Sequence, residues 1–223
     1  DGWWAVRRAA KTALSKSGTA AYDPLIAALR GGEWRARQAA AGALGQLGES
    51  QAVPSVVVAL QDEEWRVRAS AAETLGLLAG HAGTEEATAQ VVEPLTSSLG
   101  DEWWAVRRAA TGALASVGAP AVPRLVHALE ANRWQVREGA AAALGEMKVS
   151  SLEGSQVPEA AMEIVQPLAT AQNDTDGRVR RAATRALGEL GAQMEGGPLR
   201  ARVVRLLTAS LNETPPNDQF KRS

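Results

Sequence analysis

The sequence predicts an all-α protein, an α-solenoid of about six stacked helix pairs. A Val-Arg or Ala-Arg dipeptide recurs at positions 6, 36, 67, 106, 136 and 179, so successive copies lie 30, 31, 39, 30 and 43 residues apart. After each copy, apolar or small residues follow the i, i+3, i+4, i+7 spacing of an amphipathic helix. A unit of about 30 residues accommodates two short helices, and such units stack into an array.

The first helix of each unit contains the dipeptide. The segment "WWAVRRAA" at Trp3–Ala10 returns unchanged at Trp103–Ala110, which shows how closely the units repeat. A glycine follows several of these helices where a left-handed residue commonly ends a helix. The predicted caps are Gly18, Gly48, Gly118 and Gly191.

The second helix of most units is predicted to begin at or near a proline, whose missing N–H costs nothing in the first turn. The segments are "DPLIAAL" at Asp23, "VPSVVVAL" at Val53, "EPLTSSL" at Glu93, "VPRLVHAL" at Val122 and "QPLATAQ" at Gln166. The matching segment of the sixth unit, "RVVRLLTASL", has no such proline. The two long spacings predict insertions at 79–90 and 148–159, as loops or helix extensions. We expect about twelve helices, stacked roughly 8 to 10 Å apart in a right-handed curve.

The alternation of "D-x-x-W-x-V-R-x-x-A-A-x-x-L-G" with "A-V-P-x-L-x-x-A-L" resembles HEAT repeats, in particular the short repeats of the phycobilin-lyase type. The resemblance covers about residues 1–212 and leaves 213–223 as a tail that we expect to be mobile. It implies that the helices with the dipeptide line a concave surface. In a HEAT repeat the helix with the dipeptide corresponds to the second helix, so the chain starts in the middle of a HEAT repeat. We therefore expect a fragment of a longer protein whose exposed array ends could self-associate.

The resemblance also implies a ladder of Asp-Arg pairs between adjacent units, because the guanidinium fork suits bidentate pairing with a carboxylate. Its members would be the arginine of each dipeptide and the acids in the turns. They are Arg7, Arg37, Arg68, Arg107, Arg137 and Arg180, with Asp1, Glu33, Asp62, Asp101 and Asp174.

A tryptophan stands two residues before the dipeptide in five of the six units, and Gly177 takes its place in the last. With Trp4 at 0° on a wheel of about 100° per residue, Val6 falls at about 200° and Leu14 at about 280°. Trp4 therefore points away from the apolar stripe, whereas Trp3, at about 260°, points into it. We expect the outward rings to be partly exposed and Trp103 to be more buried than its neighbour. The alternative is that these rings pack between repeats.

These tryptophans and the polar residues on the same helix face form the predicted partner-binding surface, with small residues as the floor of a groove. Its residues are Trp4, Arg8, Trp34, Arg35, Gln38, Trp65, Arg66, Trp104, Arg108, Trp134, Glu138, Arg178 and Arg181.

Composition and motifs argue against catalysis. The chain has no Cys, which excludes disulfides and thiolate metal sites. His81 and His127 are too far apart in sequence and repeat number to suggest a pair, and no phosphate-binding loop or nucleophile elbow is present. We therefore predict no enzyme, no cofactor and no bound metal. No apolar run approaches the roughly 20 residues of a membrane helix, so we expect no membrane partner and a cytoplasmic location.

The leading functional hypothesis is a non-catalytic interaction or scaffold module that binds a protein or peptide segment in the groove. The alternative is nucleic-acid binding, because arginine and tryptophan on one face can contact phosphates and stack bases. A net charge of -1 provides no global attraction to nucleic acid. A third hypothesis, handling of a bilin chromophore, is implied by the resemblance alone.

Overall fold

The computed structural model describes residues 21–82, 85–148, 157–194 and 197–212. Over these residues the chain forms eleven α-helices, two short 3₁₀ turns and no strand, which confirms the all-α solenoid. The predicted site residues Trp4 and Arg8, together with Trp3, Gly18 and the tail 213–223, lie outside the described residues. The helices are α1 (Tyr22–Arg30), α2 (Trp34–Leu47), α3 (Val53–Ala59), α4 (Trp65–Ala82), α5 (Glu85–Ser98), α6 (Trp104–Val117), α7 (Val122–Ala128), α8 (Trp134–Glu146), α9 (Val157–Ala171), α10 (Gly177–Gln193) and α11 (Gly197–Asn212).

The helices stack in two layers. The VR helices, which contain the dipeptide, are α2, α4, α6, α8 and α10, and each packs against the next. The Pro helices, which alternate with them, are α1, α3, α5, α7, α9 and α11, and they form the second layer in the same way. One leucine occupies the same position in every VR helix and is fully buried in the core between the layers. These are Leu44, Leu75, Leu114, Leu144 and Leu187.

Neighbouring VR helices approach most closely at glycines. A Cβ on Gly76 of α4 would lie 2.8 Å from Cα of Ala113, and one on Gly145 of α8 would lie 2.6 Å from Cα of Ala186. Real Cβ atoms do not come so near, so a side chain at either position would force the neighbouring helix to shift. Helix α6 has Ala115 at the equivalent position, and α6 packs less extensively with α8 than with α4.

The predicted glycine caps have three different outcomes. Gly48 ends α2 in the left-handed conformation, with φ 71° and ψ 12°, as expected. Gly118 ends α6 with φ 74° but ψ −140°, which is outside the left-handed helical region. The prediction for Gly191 is wrong, because α10 continues to Gln193 and Gly191 is buried inside it. There a Cβ would lie 3.0 Å from Val203, so this glycine permits close packing of α11.

The insertions lengthen helices, and this displaces the prolines. The first insertion extends α4 and begins α5, and the second supplies the start of α9. Pro94 and Pro167 therefore lie inside their helices rather than in the first turn, contrary to the prediction. Helix α11 also begins before the segment matched to it, so that Pro198 lies in its first turn.

Candidate functional site

Three bidentate Asp-Arg pairs join adjacent units on one edge of the array. In each pair Nε and Nη2 of the arginine on one VR helix donate to both carboxylate oxygens of an aspartate in the next unit's turn. The pairs are Arg37 with Asp62 (2.6 and 2.9 Å), Arg68 with Asp101 (2.7 and 3.0 Å) and Arg137 with Asp174 (2.7 and 2.8 Å). The predicted ladder is confirmed at these three junctions.

Each ladder arginine also holds its own turn. The Nη1 of Arg68 donates to the carbonyls of Asp62 and Glu63 at 2.9 and 3.1 Å. The acid is similarly shared, since Oδ1 of Asp101 accepts the backbone N–H of Trp103 at 2.8 Å. Every pair therefore fixes two successive turns at once.

The pairs are largely buried, and the hydrogen bonds within them shift the pKa of several members against the effect of burial. The hydrogen bond to Asp62 raises the pKa of Arg37. Burial alone would raise the pKa of Asp62, but hydrogen bonds from Arg37 and the Glu64 amide outweigh it and lower that pKa. The hydrogen bond from Arg137 lowers the pKa of Asp174. Asp62 and Asp174 are thus held in their charged form, which suits a structural role.

The ladder is interrupted between α6 and α8. Ala131 stands where the turns before α4, α6 and α10 have aspartate. Among the described residues, Arg107 donates only to the carbonyls of Asp101 and Glu102, at 2.8 and 2.9 Å. The exposed pair of Arg108 and Glu146, 2.9 Å apart, bridges these helices instead. Glu33, the acid predicted for the first junction, has its predicted partner Arg7 outside the described part of the chain.

Most outward tryptophans are half-buried because a cation or a second ring covers them. The guanidinium carbon of Arg66 lies 5.0 Å from the ring centroid of Trp34 and 4.5 Å from that of Trp65. Arg35 lies 4.4 Å from the Trp34 centroid. The other neighbour of Trp65 is Trp103, stacked with centroids 5.4 Å apart and planes 16° from parallel. These contacts connect three consecutive units.

Trp104 is the exception. Between α8 and α10, the ring of Trp134 is covered by Arg178, which follows Gly177 in the next unit. The guanidinium carbon of Arg178 lies 4.2 Å from the Trp134 ring centroid. The residue equivalent to Arg178 in the unit after Trp104 is Gln135, which is too short to cover a ring in the same way. Trp104 is 71% exposed.

Trp103 differs from its predicted position. It is less exposed than Trp104, 45% against 71%, as expected. The expectation that it points into the apolar stripe is wrong. Trp103 precedes α6 with an extended backbone, φ −87° and ψ 123°, so helical periodicity does not determine its direction.

Trp104 borders a groove of about 580 Å³ between α4 and α6. Its other walls include Leu77, 48% exposed, and Arg108, and its floor is made of small residues such as Gly76 and Gly112. A Cβ on Gly112 would meet nothing within 4 Å, so the groove is open there.

Leu77 was missed by the sequence analysis, although the repeat alignment contained a signal. The other VR helices have polar residues at this position: Gln46, Ser116, Glu146 and Glu189. A leucine among them indicates a locally apolar surface.

The remaining predicted residues lie along the VR helices and do not converge on one cavity. Gln38 is half-buried, and its carbonyl accepts a hydrogen bond from Ser70 at 3.2 Å. Glu138 is half-buried on α8, and Arg181 is exposed on α10. Within the described ranges no three His, Asp or Glu residues cluster as metal ligands. In the same ranges no helix has the length and apolar character to cross a membrane.

Comparison with solved structures supports the architecture. An archaeal HEAT-like repeats protein from Thermococcus onnurineus NA1 is similar with a TM-score of 0.58 at 13% identity, over 93% of this chain and 94% of that one. An engineered protein is similar with a TM-score of 0.50 at 22% identity, over 86% and 92%. The complex of CpcE and CpcF of phycocyanin lyase from Nostoc sp. PCC7120 shares 23% identity over 94% of this chain and 87% of that one. Its TM-score of 0.44 is too low to support a conclusion about this chain.

No curated protein sequence matches the chain significantly. The family models do match. The model for HEAT repeats covers residues 22–93 and 92–159, that for a HEAT-like repeat covers 134–190, and that for the PBS lyase HEAT-like repeat covers 179–213. With these matches over most of its length, the chain belongs to the HEAT-repeat family, with repeats of the PBS-lyase type.

Proposed function

We propose that this chain is a non-catalytic interaction module that binds a segment of a partner protein in the groove between α4 and α6. One observation carries the proposal. Trp104 is 71% exposed at the rim of this groove, whereas equivalent rings are covered by arginine or tryptophan. An uncovered indole over a floor of small residues is the kind of surface where interaction hot spots occur.

The energetics favour Trp104 as the anchor. A tryptophan side chain buries about 150 to 250 Å² when it is covered, and apolar burial contributes about 25 cal/mol per Å². Covering the open part of this ring would contribute on the order of 3 kcal/mol. Leu77 adds a second apolar contact on the opposite wall.

The position of the groove suits an extended ligand. The VR helices lie so close at Gly76 and Gly145 that an added Cβ would be 2.6 to 2.8 Å from a Cα of the next helix, and a more tightly packed layer favours the inner side of a curved array. A segment lying there would contact several units at once, which is how repeat proteins generally use their inner surface.

The nucleic-acid alternative has less support from the same geometry. Trp34, Trp65 and Trp134 are covered on a face by guanidinium groups, which removes stacking surface for bases. Chromophore handling rests on the resemblance alone. The proposal therefore remains with a protein partner.

The test uses peptides of about 14 residues selected from a displayed library against the intact chain. Trp104→Ala should weaken the selected peptides about 30-fold, equivalent to about 2 kcal/mol, because the anchor contact is lost. The control is Val58→Ala, which removes an equally exposed side chain, 72%, from α3. Equal affinities for both variants, measured by fluorescence anisotropy, would contradict the proposal, and so would a library that yields no binder.

A further inference from the structure

We infer that the partner segment is acidic at one end: its apolar anchor lies at Trp104, and its carboxylates lie on an arginine stripe of α10. The inference rests on the proposed function and specifies the chemistry of the ligand. The stripe consists of Arg178, Arg181 and Arg185, spaced i, i+3 and i+7, which places them on one helix face.

These arginines are open to solvent. The side chains of Arg178 and Arg185 are 53% and 58% exposed, and Arg181 is exposed as well. Ladder arginines, by contrast, are only 11 to 15% exposed. The stripe can therefore reach a ligand, whereas the ladder cannot.

The acids near the stripe hold it loosely. Asp176 is 4.0 Å from Arg178, and its other carboxylate oxygen is engaged with the Arg178 backbone N–H at 2.8 Å. Glu189 is 3.7 Å from Arg185. Arg181 has no ion pair among the described residues. Because guanidinium groups bind carboxylates best in short bidentate pairs, a partner carboxylate would improve on every one of these contacts.

The distance between anchor and stripe sets the ligand's length. The stripe lies two VR helices from Trp104, since α6 packs on α8 and α8 on α10. Helices packed about 8 to 10 Å apart give a separation of about 20 Å. An extended chain advances about 3.3 Å per residue, so about six residues separate the anchor from the acidic residues.

Carboxylates between the two ends favour a peptide over a nucleic acid. Glu138 lies on α8, the helix between Trp104 and the stripe, and Glu73 lines the groove. A phosphate backbone carries a charge on every nucleotide and would cross these acids. A peptide can place neutral residues there and concentrate its acids at α10.

The test uses three displayed libraries that share a Trp or Leu anchor and a neutral six-residue spacer. One ends in Asp and Glu, one in Lys and Arg, and one in Ser and Gln, with each tail placed before or after the anchor. We expect the wild type to select binders mainly from the acidic library. Raising the salt concentration should weaken them, because the contacts are exposed ion pairs.

The double variant Arg181→Glu/Arg185→Glu should bind these acidic peptides at least tenfold more weakly and select from the basic library instead. Arg178 is left in place because it covers Trp134. The matched control is Arg200→Glu/Arg205→Glu, which makes the same charge change at exposed residues of α11. Arg181→Gln/Arg185→Gln supplies a milder second variant, and circular dichroism verifies that each variant is folded.

Several outcomes overturn the inference. Neutral-library peptides that depend on Trp104 but bind the double variant normally would overturn it while the proposed function stands. A 20-nucleotide single-stranded DNA that binds in a Trp104-dependent manner and displaces the peptides would assign the surface to nucleic acid. Failure of all three libraries to yield a binder would overturn both proposals.

Discussion

Trp65 and Trp104 occupy the same position in successive VR helices, yet their surroundings differ. Trp65 is half-buried between Arg66 and Trp103, whereas Trp104 is 71% exposed. Both follow the same repeat pattern, so the tryptophan itself does not determine whether the ring packs or remains open. The residues around each ring, from its own unit and from the next, decide it.

The junction after Trp104 differs from the one between α8 and α10 at three positions. Where the junction between α8 and α10 has Asp174, Arg178 and Gly145, that between α6 and α8 has Ala131, Gln135 and Ala115. The first change removes a ladder pair, the second removes the cover over a ring, and the third prevents the closest helix approach. The junction between α6 and α8 should therefore be the weakest in the described array.

The largest difference in unfolding free energy should appear when the ladder pair between α8 and α10 is broken. Asp174→Asn leaves Arg137 with poorer acceptors in a largely buried site, and we expect a loss of about 3 kcal/mol in the free energy of unfolding. Arg107→Gln, at the interrupted junction, should cost well under half as much, since Arg107 has no carboxylate partner among the described residues. Urea denaturation followed by circular dichroism measures both, and similar losses would contradict the comparison.

Acidification should remove the stabilisation that the ladder pairs of Asp174 and Asp62 provide. The pKa of Asp174 and that of Asp62 are lowered in the folded chain, so their stabilisation is present above the unfolded value of about 4 and is lost as pH falls through the folded value. The stability difference between wild type and Asp174→Asn should be constant near neutral pH and shrink below about pH 4. A stability difference that grows on acidification would contradict the lowered pKa of Asp174 in the folded chain.

Adding one methyl group should separate tight from open contacts. Gly145→Ala places a Cβ 2.6 Å from Cα of Ala186, and we expect about 1 to 2 kcal/mol of destabilisation despite the better helix propensity of alanine. In α6, Gly112→Ala meets open space and should stabilise by up to about 1 kcal/mol. Thermal melts of the two variants should shift in opposite directions.

Restoring a missing residue should give the smallest effect. Ala131→Asp supplies the absent acid of the ladder beside Arg107, and we expect about 1 kcal/mol of stabilisation. Ala131→Asn is the matched control, because it keeps the shape without the charge. Slower hydrogen exchange in the turn before α8, for the aspartate variant only, would show that the junction has been tightened. An unchanged exchange rate would place the weakness elsewhere.

Much of the fold could be predicted from the sequence, because short-range patterns determine it. Helical spacing and the repeat length indicate the two layers, and the resemblance implied the ladder. The direction of Trp103 was mispredicted because it precedes its helix, where periodicity does not apply. The open state of Trp104 depends on Ala105 beside it and Gln135 in the next unit, which stand where Arg66 and Arg178 cover other rings. It could be recognised only once those contacts had shown what this position does.

The stability of Trp65→Ala compared with that of Trp104→Ala tests the central claim most directly. We expect Trp65→Ala to cost about 3 kcal/mol of unfolding free energy, because it removes a ring stacked on Trp103 and covered by Arg66. Trp104→Ala should cost less than about 1 kcal/mol, because most of its ring is already in water. Equal losses of about 3 kcal/mol for both would show that Trp104 is a packing residue like Trp65 and would contradict its role as the binding anchor.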